Sequence, residues 1–411
     1  MRKQLVWLGG LLICLLLTVG WLVDQDAAQA YSEEQQLLSE VWRIVDRAYV
    51  DSTFNDHNWW KVRQQTLRQS LPDRSATYDA IQSMLVLLDD PFTRLLRPRQ
   101  YQSLQTDTSG ELTGVGLQLV QDQKTDELVV IAPIEGSPAQ AAMILPRDRI
   151  LAVDGVSVKG LTLDEAAERM RGSIGSLVTL TVRHVADQQQ EDIDLVRDRI
   201  TLNPVFAELR SPSPDLKIGY IRLSQFNANA TEEVQKSIQQ FESERANGYI
   251  LDLRNNPGGL LQAGIEIARL WLDQGTILYT VNRYGIQDRL AATGANLTDA
   301  PLAVLINSGT ASASEILSGA LQDNGRATLI GETSFGKGLI QSLFNLSDGS
   351  GLAVTVARYE TPDHHDINKT GIVPDVEVVM SPLNGAQLAT DEDIQYQTAL
   401  DVLQKTLLSK E

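Results

Sequence analysis

From Glu33 to about Gln105, apolar side chains recur at three- and four-residue spacing. Leu37, Val41, Ile44, Val45 and Ala48 form one series and Ile81, Leu85 and Leu88 another, which predicts amphipathic helices. His57, Trp59 and Trp60 fall between the two series and read as packing within a small helical region. From Ser109 to about Arg199 the texture changes to short strands and turns. Gly114-Val115-Gly116-Leu117 opens a strand, Leu128 to Ala132 is a second apolar run, and Gly136-Ser137-Pro138 precedes a small-residue helix, Ala139 to Ala142. Ile150 to Val153 leads into Asp154-Gly155, a hairpin signal. Thr162 to Met170 reads as a capped amphipathic helix, and Leu177 to Arg183 alternates as a strand.

Ser211-Pro212-Ser213-Pro214 reads as a linker, because prolines in pairs with serines neither continue a helix nor pair as a strand. Beyond it, strands and helices alternate. Strands are predicted at Ile218–Leu223, Tyr249–Leu253 and Leu302–Ile306, and helices at Thr231–Arg245 and Ile265–Trp271. This rhythm is that of an α/β fold. Asp348-Gly349-Ser350-Gly351, between Leu343–Leu346 and Leu352–Val356, reads as a hairpin. The chain shows no solenoid-type repeat and no low-complexity tract.

The N-terminus carries a different pattern. Arg2 and Lys3 are followed by an uncharged apolar run from Leu5 to Val23 and by Ala28-Gln29-Ala30, the order of an export signal with a small-x-small cleavage site. A mature chain would then begin at Tyr31. A retained anchor is the competing reading, since the run is just long enough to span a bilayer. Composition narrows the function. The 411 residues suggest two or three domains. With 35 Lys+Arg against 53 Asp+Glu, the net charge of −18 argues against a nucleic-acid partner, which needs a basic face. Cys14 is the only cysteine and lies inside the apolar run, so a disulfide scaffold, a cysteine zinc site and a cysteine nucleophile are all excluded from the mature chain. Four histidines leave little for a metal centre.

Three segments could carry chemistry. After the buried strand Leu302–Ile306 comes Asn307-Ser308-Gly309-Thr310-Ala311-Ser312-Ala313-Ser314-Glu315. Ser312 and Glu315 have capping-box spacing, so Ser312 reads either as a plain helix N-cap or as a nucleophile at a helix N-terminus whose N–H groups hold an oxyanion. Lys337, in Phe335-Gly336-Lys337-Gly338-Leu339, is the only lysine between Lys236 and Lys369. It reads either as a surface lysine on a glycine turn or as a desolvated base, with the glycines allowing close backbone approach and Phe335 and Leu339 excluding water. Gly331 to Gly338 also approaches a phosphate-binding loop, but Gly338 stands where the Mg²⁺-ligating hydroxyl belongs and a strand rather than a helix follows. The third segment, Leu251 to Gly259, is a strand ending in a Gly-Gly turn before a helix. It reads as an ordinary turn or as backbone donors aimed at a carbonyl oxygen. His364 and His365 are the only histidines of the last region, and no G-x-S-x-G elbow occurs.

Taken together, these segments resemble the carboxyl-terminal processing peptidases, or tail-specific proteases, and most of all the cyanobacterial and chloroplast branch that trims the photosystem II reaction-centre precursor. The resemblance covers nearly all of residues 31–380. It is carried by Asp90-Pro91-Phe92-Thr93-Arg94, Thr113 to Leu117, Ile218 to Leu223, Leu251 to Gly259, Gly309 to Glu315, Phe335 to Gln341 and Ala357 to Pro362. The resemblance implies a multi-domain α/β fold: signal peptide 1–30, N-terminal helical region 31–108, PDZ domain 109–200, α/β serine-protease core 201–385 and C-terminal helical tail 386–411. It places the nucleophile on Ser312, the general base on Lys337 and a lysine-orienting glutamine on Gln341. It assigns oxyanion donors to Ala313 and to Gly258 or Gly259, and terminal-carboxylate binding to Gly114, Val115, Gly116 and Leu117. Where similar PDZ domains usually carry Pro-Gly-Asp this chain has Pro146-Arg147-Asp148, and Met143 stands at a common glycine.

The implied activity is a Ser-Lys endopeptidase, in the periplasm or thylakoid lumen, that cuts near the C-terminus of a protein with an exposed tail. It needs no metal or other cofactor, binds no nucleic acid and is compatible with a membrane-protein substrate met transiently. The resemblance fixes no oligomeric state. The alternatives are a PDZ-type peptide-binding adaptor without catalysis, a general periplasmic tail-specific protease, and a Ser-His-Asp hydrolase using His364.

Overall fold

The computed structural model describes residues 31–409 apart from 123–124, 215, 382 and 384–386; the export signal read in residues 1–30 lies outside the described residues. The chain forms two compact units, one running up to Pro98 and including Ser342–Val354, the other comprising Arg99–Gln341 and the chain from Thr355 onward.

In the first unit α1 (Glu33–Ala48) and α3 (Arg74–Val86) form where the apolar spacing predicts helices, and a further helix, α2 (Trp59–Leu67), starts at the tryptophans read as falling between the two series. Each starts at a side-chain cap, from Ser32, Asn58 and Asp73, satisfying backbone N–H groups that a helix cannot pair internally. Leu37, Leu38, Val41, Val45, Ile81 and Met84 are buried. The helical pattern is interrupted by a short strand, β1 (Arg94–Leu96), antiparallel to Gly351–Ala353. Asp348, in the hairpin turn read from the sequence, accepts from Tyr78 Oη at 2.7 Å and pairs with Arg74 at 3.2 Å.

The second unit opens with α4 (Pro98–Ser109) and then β2 (Glu111–Gly114), β3 (Leu117–Gln121), β4 (Leu128–Pro133), α5 (Pro138–Ala141), β5 (Arg149–Val153), β6 (Val156–Ser157), α6 (Leu163–Met170), β7 (Leu177–Arg183), β8 (Gln190–Val196) and β9 (Asp198–Thr201). The antiparallel sheet runs β3-β4-β5-β7-β8, with β6 paired to β5 and with β2 and β9 forming a separate ribbon. Its interior is Val115, Leu128, Val130, Ala139, Ile150, Val153, Ala166, Val178, Leu180 and Val182. Thr162 caps α6 in a full capping box with Glu165. Met143 and Arg147, the two residues standing at common glycine positions, take up the glycine conformation, with φ of +58° and +75°.

The core follows: β10 (Val205–Ser213), β11 (Leu216–Leu223), α7 (Ala230–Ser243), β12 (Gly248–Asp252), α8 (Leu261–Trp271), β13 (Thr276–Asn282), β14 (Gly285–Ala291), β15 (Leu302–Ile306), α9 (Ala313–Asp323), β16 (Ala327–Gly331), β17 (Leu339–Asn345), β18 (Gly351–Glu360), β19 (Val376–Glu377) and α10 (Ile394–Leu408), of which the stretch Ser342–Val354 in β17 and β18 counts with the first unit. The main sheet has the order β10-β11-β12-β15-β16-β19, with β11 through β19 parallel and β10 antiparallel at the edge. The linker reading of Ser211–Pro214 is corrected here: Ser211, Pro212 and Ser213 belong to β10. The edge position explains it, because prolines there need not donate to a neighbour on the open side. The ladder also shifts register between Arg210 and Ser213.

Side chains alternate across this sheet as strand geometry requires. Leu251, Leu253, Leu302, Val304 and Ile306 join the cluster that packs α7, α8 and α9. Tyr220, Ile250, Ala303, Leu305 and Ile330 join the cluster that contains Ala389, Tyr396, Ala399 and Leu403, bringing in α10. Strands buried on both faces read as continuous apolar runs, which is why Tyr249–Leu253 and Leu302–Ile306 are legible in the sequence.

Candidate active site

In a parallel sheet the crevice beyond the carboxyl ends of the strands is the usual place for a site. Here three neighbouring strands deliver the three candidate segments to that edge. β12 runs into Leu253–Gly259, β15 into Asn307–Ser312, and β16 into Glu332–Gly338.

Ser312 precedes the first residue of α9 with φ +57° and ψ −116°. A serine in this region is strained, by about 1–3 kcal/mol, and the surroundings hold it there. Its N–H donates to Glu315 Oε2 at 2.8 Å, its carbonyl oxygen accepts from Glu315 N at 2.8 Å and from Ile316 N at 3.0 Å, and Tyr359 Oη donates to the same carbonyl at 3.3 Å. The capping spacing is thus satisfied through the Glu315 carboxylate and backbone groups.

Glu315 is more than a cap. It is fully buried, and its carboxylate accepts four hydrogen bonds: from Ser312 N at 2.8 Å, Lys337 N at 2.9 Å, Gly336 N at 2.6 Å and Ser334 Oγ at 2.5 Å. One oxygen, Oε2, therefore joins the backbone of Ser312 to that of Lys337. Phe335 N donates to Thr310 O at 2.9 Å, a second tie between the same loops. On its other side the lysine segment is held by Lys369 N to Gly336 O at 2.8 Å and Tyr359 N to Gly338 O at 3.0 Å. Lys337 itself is half-buried. Phe335 is largely exposed at 58% and does not pack into a covering wall as expected.

The Gly-Gly turn meets this corner directly. A Cβ on Gly258, whose φ is +93°, would sit 2.9 Å from both Ser312 Cβ and Ala313 N and 2.7 Å from Ala311 O, so only glycine lets the turn approach the serine this closely. Ala311 N donates to Asn256 O at 3.0 Å, and Ser314 Oγ donates to the same oxygen at 3.0 Å. The Gly258 N–H is spent on Asn256 Oδ1 at 2.9 Å. The N–H groups of Gly259 and Ala313 have no acceptor among the described residues.

Sequence reasoning thus names Ser312, Ala313, Gly258, Gly259 and Lys337, and the structure gathers them. Gln341 lies in β17, half-buried, its Nε2 3.5 Å from Thr355 Oγ1. His364 is 52% exposed on its side chain, stacks on Tyr279 with ring centroids 4.2 Å apart and pairs through Nδ1 with Glu360 at 2.9 Å. Missed were the wider role of Glu315, whose capping spacing was its only sequence signal, and Tyr359. Burial pushes the Tyr359 phenol well above its ordinary value, reinforced by Glu315 and Asp366, so it stays a neutral donor. A strand, β17, follows Lys337, and the helix that a phosphate-binding loop needs is not there.

At the other candidate site, Gly114 ends β2 and Leu117 starts β3. Gly116 has φ +78°, and its added Cβ would lie 2.3 Å from Ser137 Cβ. Gly116 O accepts from Ile134 N at 2.9 Å and Ser137 Oγ at 3.2 Å, and Val115 O accepts from Ala139 N at 2.9 Å. With the carbonyls occupied, the Val115 and Gly116 N–H groups have no acceptor among the described residues. Successive backbone donors of this kind suit an anion.

A PDZ domain matching residues 129–184 stands beside a core whose residues 217–378 match peptidase family S41. The chain is 56% identical to the carboxyl-terminal-processing protease of Picosynechococcus sp. over 98% of this chain and 97% of that one. It is also 56% identical to the carboxyl-terminal-processing protease of Synechocystis sp., over 93% and 90%. A solved structure described as a photosystem II D1 C-terminal processing protease is 41% identical, with a TM-score of 0.57, covering 88% of this chain and 99% of that one. The chain belongs to peptidase family S41. Within it, it is a carboxyl-terminal-processing protease, a serine-type peptidase acting on protein substrates.

Proposed function

We propose that the chain is an exported endopeptidase that captures a free C-terminal tail on its PDZ domain and cuts near it with a Ser312–Lys337 dyad. The observation that carries the reading is the shared Glu315 oxygen, which accepts from Ser312 N at 2.8 Å and from Lys337 N at 2.9 Å and so fixes the two segments against each other. Lys337, in its unprotonated form, takes the Ser312 hydroxyl proton as Oγ bonds to the scissile carbonyl carbon. Negative charge then develops on the carbonyl oxygen and is met by the Ala313 and Gly259 N–H groups. Loss of one such donor costs about 10²–10³ in turnover. The proton passes to the leaving amine, and water hydrolyses the acyl-serine with Lys337 as base again. Gln341, four residues on, would orient the lysine.

The Val115 and Gly116 N–H groups would receive the terminal carboxylate while the tail adds to the edge strand β3. The substrate reading, a photosystem II reaction-centre precursor, rests on what the solved relative is described as processing. Export rests on the pattern of residues 1–30. No helix among the described residues is long and apolar enough to cross a membrane.

The test is a protein substrate with an apolar C-terminal extension, its products mapped by mass spectrometry, beside the same substrate carrying an amidated terminus. Cleavage near the free terminus and a large rise in KM on amidation are expected. Equal KM for both would remove the carboxylate-capture role, and binding without cleavage would favour a peptide-binding adaptor.

A further inference from the structure

On the opposite side of β12 from the helices α7–α9, a buried charge cluster joins the oxyanion turn to the chain's last helix. Asp252 and Asp393 are fully buried, Gln395 is 1% exposed and Arg254 5%. All five guanidinium N–H groups of Arg254 are used. Nε and Nη2 donate to Asp252 at 2.9 and 2.6 Å, Nη1 donates to Asp393 Oδ1 at 2.9 Å and Gln395 Oε1 at 3.1 Å, and Nη2 also donates to Asp393 Oδ2 at 2.8 Å. Asp252 further accepts from Arg254 N at 3.0 Å and Tyr220 Oη at 2.8 Å. Asp393 caps α10, accepting from Tyr396 N at 3.1 Å, and takes Ala389 N at 2.9 Å.

We propose that Asp393 is a positioning residue for the oxyanion turn, acting through Arg254 across 139 residues of sequence. Arg254 stands four residues before Gly258, and the backbone between them turns through a left-handed residue, Asn255 at φ +57°. A guanidinium locked in a planar fork by two carboxylates fixes the backbone that carries it more tightly than packing alone. The geometry therefore makes the C-terminal helix a part of the catalytic apparatus: its first-turn cap holds the arginine that sets where the Gly258–Gly259 turn meets Ser312. This rests on the Ser312–Lys337 reading above.

The test measures kcat and KM of the purified full-length protein on the tail-bearing substrate, with thermal unfolding in parallel. Asp393→Asn is expected to lower kcat about 10–100-fold, the scale on which small misplacement of a catalytic group acts, with KM within about twofold. Gln395→Leu, which removes one acceptor and leaves both carboxylates, is expected to act in the same direction more weakly and guards against a misfolded Asp393 variant. Leu403→Ala loosens α10 on the same sheet face without touching Arg254. It is expected to lower the unfolding temperature yet keep kcat at temperatures where it is folded. Wild-type kcat in both the Asp393 and Gln395 variants would overturn the proposal, as would an equal kcat loss in Leu403→Ala. Continued cleavage by Ser312→Ala in the same assay would instead overturn the dyad on which the proposal rests.

Discussion

Met143 and Ser312 are two of the residues whose backbone holds a φ that glycine would reach without strain. Met143, at +58°, follows the short helix α5 at the left-handed position where helices commonly end on glycine; its side chain is 76% exposed, so it gains little from packing. The expected outcome for Met143→Gly is a PDZ region stabilised by up to about 1 kcal/mol, because relief of left-handed strain outweighs the added chain entropy. Chemical denaturation of the two proteins checks it, and a destabilised variant would contradict it. The departure from glycine is visible in the sequence, yet the sequence does not say whether the turn or the residue gives way. The backbone bonds answer that: Met143 N donates to Gln140 O at 3.0 Å and Ile144 N to Ala139 O at 3.1 Å, so the turn is kept. Ser312 is similar. Its spacing to Glu315 is legible as a cap, but the φ of +57° and the four donors on the Glu315 carboxylate depend on Ser334 and Gly336, which no local pattern ties to it.

At the scale of elements, patterning works best where burial is two-sided or strictly alternating and fails where tertiary position decides. β12 and β15 are buried throughout because helices cover both faces, and their apolar runs, Tyr249–Leu251 and Leu302–Ile306, show it. Ser211–Pro212–Ser213 has the composition of a linker but lies in an edge strand, and nothing local distinguishes the two. The β7–β8 hairpin carries a titratable contact that is equally long-range. His184 Nδ1 lies 2.9 Å from the buried Asp148 carboxylate and Nε2 3.6 Å from Glu191. The Asp148 hydrogen bond, with further help from Glu191, raises the imidazole above its ordinary value of 6.5, although partial burial opposes it. The folded state therefore holds the proton more tightly than the unfolded chain. That contribution is complete below about pH 6.5 and is lost as pH rises through the elevated folded value. The stability gap between wild type and His184→Gln, followed by thermal unfolding, should be widest below about pH 6.5 and should shrink as pH rises above it. A gap independent of pH would contradict the ion pair.

For the molecule as a whole, one sheet collects the chemistry. Its parallel strands end side by side, and the loops after β12, β15 and β16 bring a glycine turn, a strained serine and a lysine into one corner, with a single buried carboxylate tying the last two together. The α/β alternation and the three segments are legible in the sequence, since each is short and local. The far side of the sheet is not, because the Asp252–Arg254–Asp393 cluster closes only when α10 returns to pack on β12, β15 and β16. The α10 segment read as a tail in the sequence thereby contributes buried groups to the core.

The central claim is that Ser312 attacks and Lys337 takes its proton. The most direct test is a parallel measurement of cleavage by wild type, Ser312→Ala, Lys337→Arg and His364→Ala. Arginine keeps the charge but does not give up its proton at working pH, so the claim predicts that both dyad variants are inactive while His364→Ala retains wild-type turnover. Turnover by Lys337→Arg comparable to wild type, or its loss in His364→Ala alone, would contradict it.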